Sequence, residues 1–262
     1  MVRYPSPAIN NTIMKKYTFL KIFTLTFILL SLFSCKKDSE VGTITLRLNH
    51  EVDGEQLEIE QIKYLSKAGH AYSVVNLKYY LSQIVLHENK GSTFSSDNVH
   101  LFDILNPASE QYEMQDVPNG DYTSISFIFG LDETTNVDGG LENNFENINM
   151  EWPIPGDQGY HYMKFEGRYD SLATGIIKSF NIHTGATMGN QNYFELTLPF
   201  SKMALRSNSW TINLSMDLNE WFQNPNTFDF AIREMIMTNQ TSQEMLKANG
   251  ATVFSITSVT KN

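Results

Sequence analysis

The chain has 262 residues, 19 basic against 29 acidic, and a single cysteine. Its formal charge of −10 argues against nucleic acid as a partner, because such a surface repels phosphate. One thiol excludes an internal disulfide and a thiolate-rich metal site, leaving imidazole, methionine and carboxylate as candidate ligands.

The N-terminus carries Lys15, Lys16 and Lys21, then an uncharged run from Ile22 to Ser34 that ends in Leu32-Phe33-Ser34-Cys35. Basic, then apolar, then small residues at a cut site is the pattern of a secretory signal. The run is shorter than the roughly 20 apolar residues a permanent span needs. We read residues 1–34 as a signal peptide, with Met14 as an alternative start, and Cys35 as the lipid-bearing cysteine of a lipobox. Residues 35–41 then form a charged tether, similar to that of Bacteroidetes surface lipoproteins, which predicts an outer-membrane lipoprotein on the periplasmic face or the cell surface. Residues 1–35 hold four basic and no acidic residues, so the remainder carries 15 basic against 29 acidic, a formal −14.

Period-2 alternation dominates the rest. Ile44, Leu46 and Leu48 open it, and Phe194, Leu196, Leu198 and Phe200 repeat it. Trp210, Ile212, Leu214, Met216 and Leu218 give the clearest half-buried strand. Pro199 lacks a ladder donor and places its strand at a sheet edge. Further strands are expected at Val74–Leu86, His100–Ile104, Tyr122–Phe129, Tyr160–Glu166, Phe180–His183 and Val253–Val259. Asp53-Gly54, Pro118-Asn119-Gly120, Asp138-Gly139-Gly140 and Pro155-Gly156-Asp157 supply turns. A helix is expected through Met245-Leu246-Lys247, capped by Thr241 or Ser242 and stopped at Asn249-Gly250. A second short helix is expected near Asp229–Met237. The fold class is therefore all-β: an antiparallel β-sandwich with one or two short helices near the C-terminus, a single domain over residues 42–262.

No H-E-x-x-H, phosphate loop, nucleophile elbow or paired-cysteine zinc pattern occurs, so the chain reads as a binding protein and not an enzyme. Asp132, Asn136 and Asp138 lack the spacing of a calcium loop and read as an Asx-rich turn. The histidines are the remaining candidates. His50, His100 and His183 lie at strand ends, where neutral imidazoles suit copper, zinc or nickel. Each taken singly reads as an ordinary strand-end or core residue.

Several blocks, in order, resemble the MbnP-like family of extracytoplasmic copper-binding proteins. They are Leu48-Asn49-His50, Leu77-Lys78-Tyr79-Tyr80-Leu81-Ser82, His100-Leu101-Phe102-Asp103, Phe129-Gly130-Leu131-Asp132, Met150-Glu151-Trp152 and Phe180-Asn181-Ile182-His183-Thr184-Gly185. The resemblance implies a β-sandwich holding one copper ion through His50, His100 and His183, with His161 as a reserve ligand. It also implies that Trp152 is the metal-adjacent residue oxidised by a di-haem partner protein, and that the protein acquires or stores copper. The alternative is a metal-free adhesion or carbohydrate-binding module.

Overall fold

The computed structural model describes residues 1–4, 40–96, 98–153 and 159–262. Residues 5–39, which hold most of the expected signal peptide, Cys35 and the start of the expected tether, fall outside the described residues. Residues Val41–Asn262 form one compact unit, and among the described residues no helix is long and apolar enough to cross a membrane.

Two sheets pack face to face. The first contains β1 (Val41–Val52), β2 (Glu55–Gln56), β7 (Gln111–Pro118), β12 (Ser209–Asp217) and β13 (Phe254–Lys261). Its order is β13-β12-β1-β2, with β7 also on β1. The second is built around the long β4 (Ala71–Glu88), in the order β10-β9-β4-β8-β11. Those partners are β8 (Gly120–Phe129), β9 (His161–Asp170), β10 (Ile177–Gly185) and β11 (Phe194–Leu205), while the short β3 (Tyr64–Leu65), β5 (Thr93–Ser96) and β6 (His100–Asp103) also pair with β4. Pairing is antiparallel except between β1 and β12, which run parallel.

The alternating residues of β1 and β12 place Ile44, Leu46, Leu48, Ile212, Leu214 and Met216 in the main core. Each such side chain stabilises the fold by about 1.5–3 kcal/mol through area withdrawn from water. Asp53 and Gly54, both at positive φ (53° and 84°), turn β1 into β2, the backbone a two-residue hairpin requires. Pro199 sits on β11, which pairs only with β8 among the described residues.

Around Tyr80 and Tyr162 the second sheet is buried on both faces. Alternation sends Tyr79 and Met163 into the main core. Tyr80 and Tyr162 go to a smaller cluster with Leu131, Met150 and Tyr160. The connection from β8 to β9 supplies Leu131 and Met150, and so acts as a flap over that face. Its base is tied by polar side chains: Asn136 Oδ1 accepts from Tyr160 N and Asp138 Oδ1 from Gly159 N, both at 2.8 Å. The Asx-rich turn is a latch of the fold. Gly130, at φ 96°, approaches so closely that a Cβ would lie 2.7 Å from the Tyr162 ring.

Among the described residues there are three short α-helices: α1 (Phe145–Ile148) in the flap, α2 (Glu220–Gln223) and α3 (Gln240–Asn249). Asn239 caps α3, accepting from Ser242 N at 3.0 Å, so the helix begins before the expected Thr241 or Ser242. The second expected helix shrinks to a 3-10 turn over Phe230–Ile232. There the chain docks on β10 instead, through Asn181 N and Glu234 O at 2.7 Å.

Candidate functional site

The four candidate histidines divide into three environments. His50, near the end of β1, is 3% exposed and bonds Tyr79 Oη through Nε2 at 2.9 Å. Burial lowers its pKa to about 4. His100 donates from Nε2 to Ser109 O at 2.8 Å and lies against Phe102 and Tyr112. Burial lowers its pKa, against the opposing pull of that carbonyl. Both rings serve the packing of the sandwich core. The structure brings neither of them into ring contact with His183.

His183, on β10, and His161, at the start of β9, do meet, with ring centroids 5.0 Å apart. A register irregularity makes this possible. Thr184 pairs with Met163 but Gly185 pairs with His161, so one step on β10 matches two on β9. The extra residue breaks the alternation at the sheet edge.

The flap brings the third member. Met150–Trp152 runs against Gly159–His161, with Trp152 N bonded to Gly159 O and His161 N to Met150 O. This sets the Trp152 ring 4.8 Å from that of His161. The indole fits only because residue 185 is glycine: a Cβ there would stand 2.6 Å from Trp152 Cζ3. Buried Gln243, from α3, holds this turn in place. Its Nε2 donates to His183 O at 2.9 Å and its Oε1 accepts from Gly185 N at 3.3 Å. Asn192 Nδ2 donates to Gly185 O at 2.7 Å.

The hydrogen bonds fix the tautomers. A carbonyl oxygen only accepts, so His161 Nδ1, 2.9 Å from Met150 O, carries the proton. Its Nε2 is then a lone pair in the neutral ring. That atom is buried and has no hydrogen-bond partner among the described residues, and neither has Trp152 Nε1. Burial first, then the nearby Lys164 and His183, push the His161 pKa down to about 3, so the ring is neutral at ordinary pH. His183 Nε2 faces Glu166 Oε1 at 2.7 Å. This bond, with help from Asn76, holds the Glu166 carboxyl below its usual range. As a carboxylate, Glu166 accepts, so His183 Nε2 is the donor in this bond.

Two imidazoles whose second nitrogens are held by a carbonyl and a carboxylate are oriented as metal-binding histidines are. Among the described residues no group of three or more His, Cys, Asp or Glu side chains converges to hold a metal ion. Glu166, Gly185 and Gln243 were not among the sequence candidates. Only the cross-strand geometry of β9 and β10, and the docking of α3, single them out.

The described residues thus form a β-sandwich with an imidazole–indole cluster packed where the β8–β9 connection meets the edge of the second sheet. The profile of the MbnP family matches residues 41–245. The solved structure of MbnP from Methylosinus trichosporium is similar, at 14% identity and a TM-score of 0.55, over 85% of this chain and 99% of that one. No curated protein matches. The chain belongs to the MbnP family.

Proposed function

We propose that this protein is a lipid-anchored, extracytoplasmic copper-binding protein, acting in copper acquisition or storage without catalysing a reaction. His161 and His183 would hold one copper ion beside Trp152. The observation that carries this is the buried, unpartnered Nε2 of His161, in a ring whose centroid lies 5.0 Å from that of a second imidazole, His183. Leaving such an atom without a bond costs about 1–3 kcal/mol, and a bound metal ion removes that penalty. Imidazole nitrogens without thiolates suit copper. His50 and His100 are then packing residues. The anchor at Cys35, the outer-membrane location and a di-haem partner acting on Trp152 complete the proposal, on the strength of the lipobox and the family resemblance.

The test is copper content after loading and desalting. About one copper per chain is expected, lost in His161→Ala and in His183→Ala but retained in His100→Ala. Retention of copper by the two former variants, or its loss only with His50 or His100, overturns the assignment.

A further inference from the structure

A cleft of about 500 Å³ opens beside the smaller cluster, on the part of the flap around α1. Its size is that of a small-molecule site. Asn98 and Asn106, flanking β6, line it together with Glu142 and Glu146 from the flap and the apolar Leu101 and Leu141. None of the described lining residues is Lys, Arg or His.

The polar groups there are unevenly committed. Asn147 is spent: its Oδ1 accepts from Tyr80 Oη at 2.8 Å and its Nδ2 donates to Glu142 O at 2.9 Å. Asn144 Oδ1 caps α1 by accepting from Asn147 N at 2.8 Å. These bonds fix the shape of the cleft. Asn106 uses its Oδ1 on Ala108 N at 3.3 Å, which leaves its NH2 to donate. The Glu142 and Glu146 carboxylates can only accept. The cleft thus offers amide donors, carboxylate acceptors and an aliphatic patch.

Adjacent hydroxyl groups each donate and accept, so alternating amide and carboxylate groups satisfy them. The C–H faces of a sugar ring match the leucines of the lining. The lack of cations among the lining residues, with a chain charge of −10, disfavours phosphate or carboxylate ligands. We propose that this cleft binds a neutral mono- or disaccharide. The site is separate from the imidazole pair and does not rest on the copper reading.

Saturation-transfer NMR on the purified protein tests this, with cellobiose, maltose, lactose and diacetylchitobiose as neutral probes and glucosamine as a cationic one. Transfer to at least one neutral disaccharide is expected. Glu142→Gln and Glu146→Gln, both at exposed lining positions, should each weaken it about tenfold, the equivalent of one hydrogen bond to a charged group. Absence of transfer to every neutral sugar overturns the proposal. So does transfer to glucosamine alone that salt abolishes, which would mark a simple cation site, and so does binding as strong as the wild type's in both variants.

Discussion

Acidification should destabilise this protein through His50, by an amount that the structure sets. The ring is 3% exposed, bonded to Tyr79 Oη, and its folded pKa is lowered from 6.5 to about 4 by burial. Below pH 6.5 the unfolded chain takes up a proton that the folded ring refuses, so the unfolded state binds more protons and stability falls as pH falls. The loss begins near pH 6.5 and levels off below about pH 4, where the folded ring titrates too. A shift of about 2.5 units corresponds to roughly 3 kcal/mol in full. Between pH 7 and pH 4.5 most of it, about 2.5 kcal/mol, should be lost. His50→Gln keeps an acceptor for the Tyr79 hydroxyl but does not titrate. Urea midpoints measured across that range on chelator-treated wild type and variant give the comparison, in which His161 and the carboxylates cancel. The wild type should lose about 2.5 kcal/mol more than the variant. Parallel pH profiles for the two proteins would refute the argument.

Two further outcomes test the architecture of the candidate centre. Gly185→Ala places a methyl group 2.6 Å from the Trp152 ring and should destabilise the fold by about 1–3 kcal/mol through overpacking, with a changed indole signal in near-UV circular dichroism. An unchanged indole spectrum would show that the ring does not rest on that glycine. Gln243→Leu strips Gly185 N and His183 O of their partner; a loss of about 1–3 kcal/mol and faster amide exchange at Gly185 are expected, and native-like exchange there would contradict the pinning role.

Much of the scaffold could be read directly from residue alternation, and the reasons are local. In β12, Ile212, Leu214 and Met216 are all buried on one face, because a strand covered on one side sorts its residues by period two. β7 escaped notice: Tyr112 and Met114 alternate, but Asp116 turns to φ 55° and shifts the pattern before Val117. The flap helix α1 is four residues long, too brief for a period to show. The site was legible only in part. His183, His161 and Trp152 were singled out, yet the grouping of His183 with His50 and His100 came from strand-end positions and family resemblance. Which strand ends meet depends on the β9–β10 register shift and on the path of the flap. Both are long-range facts that a single sequence does not display. Whether the resemblance-based trio or the observed pair holds metal is decided by the copper experiment above.

The flap contributes Met150 O, which sets the tautomer of His161, and Trp152, the nearest ring to it. It is held by its own small cluster and not by the main core. A lift of this one segment, without melting the sandwich, would therefore let His161 swap its proton between nitrogens and uncover its Nε2. Exchange of an ion held as proposed would then run on the clock of a local opening, whose free energy comes from the small cluster and the Asx latch, while the lifetime of the folded protein is set by the sheets beneath.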